Sequence, residues 1–122
     1  MEISKQFSYG LVKIFNLKKN DELHFSFDIS FITENINLTY NFGESVYFSL
    51  FDFLEKKSSK LTDENYIENH LELSKESLIL NIYQNGLLVR TELKLNIWED
   101  QEYLEDFLLE WKAYCEVLME NK

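Results

Sequence analysis

The segment from Leu78 to Trp98 constrains the fold more than any other, because it is typical of a β-hairpin around Asn85-Gly86. Both residues of an Asn-Gly pair tolerate a positive φ, as a two-residue type I′ turn requires. The predicted strands cover 78–83 and 87–98. On the return strand, the odd-numbered residues are expected to face one way and the even-numbered residues the other. The chain therefore contains at least one antiparallel strand pair.

Two earlier runs also alternate between apolar and polar side chains, and they predict a second hairpin. The apolar positions run from Leu23 to Phe31 in the first and from Ile36 to Phe42 in the second. Residues 33–35 are the expected turn. A further strand is expected upstream over 7–17, and residues 70–73 give a weaker strand signal.

Two segments have a period near 3.6 and predict helices. The first helix is expected over 45–57, with Ser45 as its N-cap, followed by a polar loop to about residue 65. The second is expected over 99–118, with carboxylates in its first turn, where the helix dipole favours them. Two groups of side chains are expected to be buried. In the first helix they are Phe51 and Phe53, and in the second they are Leu104, Phe107, Leu108, Trp111, Cys115 and Leu118.

The predicted order is β–β–β–α–β–β–β–α, which indicates the α+β class. We expect an antiparallel β-meander sheet packed against two α-helices. The chain has 122 residues, of which 45% are hydrophobic. This length and composition suit a single domain over residues 1–122.

Charge is distributed unevenly along the chain. Residues 1–60 hold 8 acidic and 7 basic side chains, whereas residues 61–122 hold 14 acidic and 5 basic ones. The formal net charge is −10. Such a charge repels phosphate, so neither nucleic acid nor an anionic membrane surface is an expected partner. A negative surface field attracts basic proteins, and binding of a basic protein is the prediction.

The sequence has no motif of a known enzyme class, and we predict no catalytic residue, no metal ligand and no cofactor. His24 and His70 could each act as an acid or base, but no paired spacing supports a metal site. Cys115 falls on the apolar stripe of the last helix, which indicates a buried thiol. A single cysteine and an N-terminus without an apolar core predict a cytoplasmic location.

The last helix has an unusual outer face that predicts a binding site. Leu109, Ala113 and Val117 fall opposite its core stripe, among carboxylates. An apolar centre with a charged rim suits a protein interface. The predicted partner-binding residues are Glu99, Asp100, Glu102, Asp106, Leu109, Glu110 and Ala113. The same face could instead join two copies of the chain in a symmetric homodimer.

The layout resembles the small acidic immunity proteins that bacteria encode beside polymorphic toxins, including those of contact-dependent inhibition systems. The similar features are an N-terminal strand pair, the aromatic helix SVYFSLFDFLEKK (45–57), the meander ESLILNIYQNGLLVRTELKLNIW (76–98) and a C-terminal helix. The resemblance is one of overall pattern, and it implies a non-enzymatic inhibitor of one cognate basic toxin domain, such as a nuclease. The alternative is an acidic DNA mimic, encoded by a phage or acting against host defence, that inhibits a nucleic-acid-binding protein.

Overall fold

The computed structural model describes residues 1–120, which form eight strands and two helices. The first sheet is a four-stranded antiparallel meander of β1 (Glu2–Phe7), β2 (Gly10–Lys19), β3 (His24–Ile32) and β4 (Asn37–Val46). The second is a four-stranded antiparallel meander of β5 (Lys60–Asp63), β6 (Tyr66–Leu73), β7 (Ser77–Gln84) and β8 (Leu87–Lys94). Helix α1 (Tyr47–Leu54) joins the two sheets, and helix α2 (Gln101–Glu120) ends the described part.

The two sheets meet where β4 lies beside β5. There the Glu64 N–H donates to the Glu44 carbonyl at 2.7 Å, and the Tyr40 hydroxyl donates to the buried carboxylate of Asp63 at 2.5 Å. Helix α2 packs against β1 and β2 and also contacts α1. One hydrophobic core takes side chains from both sheets and both helices. This arrangement leaves β1 and β8 as the outer strands of their sheets.

The α+β class is confirmed, but the strands are more numerous than predicted and form two sheets. The predicted strand over 7–17 corresponds to β2, whereas β1, which precedes the turn at Ser8 and Tyr9, was not predicted. Charged Lys5 separates the buried side chains of Ile3 and Phe7 and so obscures the period of β1.

A β-bulge hides the period of β2. Asn16 has φ 53° and the register shifts between Phe15 and Lys18. The bulge displaces the next buried side chain, which is Leu17 after Val12 and Ile14. The loop expected before residue 65 contains β5, where Leu61 is the one apolar residue.

The first helix is shorter than predicted, and Ser45 is not its N-cap. Ser45 belongs to β4, pairs with Phe25, and buries a hydroxyl that has no hydrogen-bond partner in the described residues. Val46 occupies the N-cap position without a side-chain bond. The helix start is fixed instead by the Tyr47 N–H, which donates to the Leu23 carbonyl at 2.7 Å. Phe53 is buried as expected, whereas Phe51 is only partly buried.

The Asn85-Gly86 turn is confirmed, with φ values of 53° and 78°. The return strand differs in two ways from the prediction. It ends at Lys94, and its first half is exposed on both faces because nothing in the described residues covers that end of the sheet. Leu87, for example, is 70% exposed.

Helix α2 begins and ends two residues later than predicted, and the core stripe is buried at Leu104, Phe107, Leu108, Trp111 and Cys115. Leu118 is partly buried against the same core. Within residues 1–120, no helix is long and apolar enough to cross a membrane.

Candidate interaction surface

Helix α2 is held in place by aromatic packing on its inner face. The Trp111 ring is fully buried and meets Phe27 edge-on, with ring centroids 4.9 Å apart. Phe53 of α1 lies 6.3 Å away in the same geometry, and Phe107 lies 6.0 Å away. The helix is therefore fixed in rotation, and its other face is presented to solvent.

The outer face of α2 carries Leu109, Ala113 and Val117, and we refer to these three residues as the outer seam. All three are exposed, with Leu109 at 62% and Val117 at 52%. Residues four apart on a helix lie one above another, so the outer seam is continuous. It presents apolar surface that no part of residues 1–120 covers.

Carboxylates border the outer seam on both sides. Glu102, Asp106 and Glu110 are all exposed, as is Glu99 just before the helix. The last turn of α2 has no basic side chain. The neighbouring carboxylate of Glu105 is paired with Lys56 at 3.2 Å. The predicted residues other than Asp100 thus lie on or beside one exposed acidic surface.

Asp100 does not belong to this surface, which corrects the prediction. Its side chain is 1% exposed and accepts hydrogen bonds from Ser8 and from the Asn96 N–H. Its carbonyl accepts the Leu104 N–H at 2.9 Å, so Asp100 occupies the N-cap position of α2. The carboxylate therefore fixes the start of the helix and is not available to a partner.

An exposed apolar group at the start of α2 was not predicted. Trp98 is 86% exposed, and Ile97 and Tyr9 are also exposed. The side chain of Asn96 accepts the N–H groups of Trp98 and Glu99 at 2.8 and 3.0 Å, which turns the chain away from β8. The alternating pattern placed Trp98 inside a strand, and only the turn at Asn96 would have indicated otherwise.

A histidine and two carboxylates meet at the start of β3. His24 Nδ1 lies 2.8 Å from Asp21 Oδ1 and 3.8 Å from Glu44 Oε1. The hydrogen bond with Asp21 raises the pKa of His24, and the Leu23 N–H together with His24 lowers the pKa of Asp21. These groups could hold a divalent cation, because their ligand atoms lie within 4.8 Å of one another. Exposed groups of this kind also form ordinary surface ion pairs, and we assign no metal here.

A second histidine lies on the solvent face of the second sheet. His70 Nε2 is 2.7 Å from Glu72 Oε1 and 3.1 Å from Asn81 Nδ2, while Nδ1 is 3.1 Å from the Glu68 carbonyl. The contact between His70 and Asn81 joins β6 to β7. Cys115 is a poor nucleophile, because burial raises the pKa of its thiol to about 12 and disfavours the reactive thiolate.

Comparisons with protein-family models, with curated proteins and with solved structures found no match to this chain.

Proposed function

We propose that this protein is a non-enzymatic immunity protein, which binds a cognate basic toxin domain, such as a nuclease, in the cytoplasm and neutralises it. The observation that carries the proposal is the outer face of α2. There the outer seam of Leu109, Ala113 and Val117 is exposed on a rigid helix and bordered by exposed carboxylates. Resemblance in layout to bacterial immunity proteins supports the same function.

The carboxylates would act by replacing the phosphates of a toxin's substrate. A nuclease needs Lys and Arg side chains to grip phosphate, and these side chains would pair with Glu102, Asp106 and Glu110 instead. The net charge of −10 would speed the encounter with a basic partner, and salt would slow it. The toxin's active site or substrate groove would then be covered.

The outer seam would supply the binding energy that persists once the proteins have met. Interfaces draw most of their energy from a few central contacts, while charges at the rim act mainly on association. Leu109 is the central apolar residue of the surface, with carboxylates at Asp106 and Glu110 beside it. The complex should therefore depend on Leu109 for its lifetime and on the carboxylates for its rate of formation.

Co-expression tests this function directly. The toxin gene is expected immediately upstream, and its product would be expressed with and without this protein. We expect killing without the protein and survival with it, and equal killing in both cultures would reject the proposal. Leu109→Arg should weaken protection, whereas Ile67→Arg should not. Ile67 is a matched control because it is an apolar residue on β6 with an exposure of 71%, against 62% for Leu109.

A panel of unrelated nucleases separates an immunity protein from a DNA mimic. An immunity protein should bind its cognate toxin and ignore the rest. A DNA mimic should compete with DNA on several basic proteins, because its carboxylates would follow phosphate spacing over an extended surface. Binding across the panel would therefore replace the present proposal with the alternative.

A further inference from the structure

The outer edge of β8 has free backbone groups that another strand could pair with. Within residues 1–120, the hydrogen bonds of the β8 backbone go to β7 alone. Unpaired edge strands of this kind are templates for further pairing unless they are covered.

The register identifies which groups are free. The Leu95 N–H donates to the Glu76 carbonyl, and Leu87 pairs with Gln84 across a two-residue turn. Both facts place the odd-numbered residues of β8 in hydrogen-bonded pairs with β7. The outward N–H and C=O groups therefore belong to the even-numbered residues, namely Leu88, Arg90, Glu92 and Lys94.

The same four residues point their side chains away from the core. Thr91 and Leu93 are buried beneath the sheet, whereas Leu88, Arg90 and Lys94 are exposed and Glu92 is partly exposed. Bulky apolar side chains also remain uncovered at the start of the strand, with Leu87, Leu88 and Val89 all exposed. The edge thus combines free hydrogen-bonding groups with unburied apolar surface.

We propose that β8 pairs antiparallel with β8 of a second copy of this chain, about a two-fold axis at Thr91. In this register Arg90 lies opposite Glu92 of the second copy, and Glu92 lies opposite its Arg90. Residues directly opposite in an antiparallel pair interact, and opposite charges there are stabilising. Each such pair of even-numbered residues exchanges two backbone hydrogen bonds.

Charge selects this register over its neighbours. A shift by one residue in each copy, to an axis at Arg90, places two arginines opposite each other. The opposite shift, to an axis at Glu92, places two glutamates opposite each other and Arg90 opposite Lys94. Like charges directly opposite are destabilising, so the axis at Thr91 is favoured over both adjacent registers.

β8 also differs in charge from the rest of the second half of the chain. Residues 61–122 hold 14 acidic and 5 basic side chains, yet β8 contains Arg90 and Lys94 against Glu92 alone. β8 itself therefore adds little to the repulsion between two acidic chains, and salt screens the rest. The outer seam of α2 is not used in this pairing.

Exchanging the charges of Arg90 and Glu92 in the full chain tests the pairing. Sedimentation equilibrium measures dimerisation of each variant. We expect the wild type to dimerise, and Arg90→Glu and Glu92→Arg each to weaken dimerisation by roughly tenfold or more, because each places like charges opposite. The double variant Arg90→Glu/Glu92→Arg restores opposite charges and should restore the dimer. Leu109→Arg should leave it unchanged.

Amide exchange adds a backbone measurement. The N–H groups of Leu88, Arg90, Glu92 and Lys94 should exchange more slowly as protein concentration rises. Circular dichroism verifies that each variant is folded. A monomeric wild type at the highest soluble concentration would overturn the proposal. A dimer that survives both single reversals, or that Leu109→Arg disrupts, would overturn it as well.

Discussion

The carboxylate of Asp100 accepts hydrogen bonds from both the backbone N–H and the hydroxyl group of Ser8, at 3.0 and 2.9 Å. Ser8 lies in the turn between β1 and β2, and Asp100 occupies the N-cap position of α2. A third bond comes from the Asn96 N–H at 2.7 Å. One buried side chain thus fixes the last helix to the first hairpin of the chain.

Replacing Asp100 with Ala should destabilise the fold. Removing the carboxylate leaves the part-buried donors of Ser8 and Asn96 without their acceptor, and an unsatisfied buried donor costs about 1–3 kcal/mol. We expect a loss of roughly 2 kcal/mol or more in the free energy of unfolding, measured by urea denaturation. Asp100→Asn, which keeps one acceptor oxygen, should lose less. Exposed Glu99→Ala is the control and should change stability by about 0.5 kcal/mol or less. Equal stability of Asp100→Ala and Glu99→Ala would contradict the anchoring role.

Trp111→Ala should be among the most damaging single changes in the core. The ring is fully buried between Phe27, Phe53 and Phe107, and its removal leaves a cavity. We expect a loss of about 3–5 kcal/mol. The Trp111 Nε1 atom has no hydrogen-bond partner among the described residues, so Trp111→Phe sacrifices no hydrogen bond and should lose less. Thermal unfolding measures the series, and a Trp111→Ala variant as stable as the wild type would mean that the stripe is not core.

The fold could be predicted where local periodicity is strong. The hairpin of β3 and β4, the Asn85-Gly86 turn and the buried stripe of α2 each repeat at a regular spacing. The remaining strands depend on features with no local period. The bulge at Asn16 shifts β2 by one residue, and β5 has only Leu61 as an apolar residue. Its buried Asp63 is satisfied by Tyr40, far away in sequence.

The candidate surface could likewise be predicted only where local periodicity determines which side chains are exposed. Helical spacing predicts that Leu109 and Asp106 face away from the core stripe, and the structure places both on the exposed side. Glu99 and Asp100 are adjacent carboxylates that periodicity cannot distinguish. Ser8, which is 92 residues away from Asp100, decides that one is buried and the other exposed.

The Asp21–His24 pair should make stability depend on pH. The pKa of His24 is raised above 6.5, so its contribution is complete below pH 6.5 and is lost as pH rises through the folded-state pKa. The pKa of Asp21 is lowered below 3.8, so its contribution is present above pH 3.8 and is lost as pH falls through the folded-state value. Both contributions are therefore present between about pH 4 and pH 6.5.

His24→Gln should consequently destabilise the protein more at about pH 5.5 than at about pH 9. The measurement is the urea midpoint of wild type and variant at the two pH values. Asp21→Asn removes the other partner of the ion pair. It too should destabilise the protein more at about pH 5.5 than at about pH 9. Both side chains are close to solvent, so the effect should also shrink at high salt. A His24→Gln effect that is the same at both pH values would show that the ion pair does not contribute.

The final prediction separates the roles of the outer seam and its carboxylates in partner binding. Leu109→Arg places a charge at the centre of the proposed interface, where contacts control dissociation, so the complex should dissociate faster. Charge reversal at Glu102 and Asp106 changes the rim, so it should slow association and reduce the salt dependence of the association rate. Surface plasmon resonance with the co-expressed toxin domain measures both rates. Ile67→Arg is the control and should change neither rate. If Leu109→Arg and both charge reversals leave the rates unchanged, the binding site lies elsewhere, and the solvent face of the second sheet around Arg90 and Glu92 is the next surface to test.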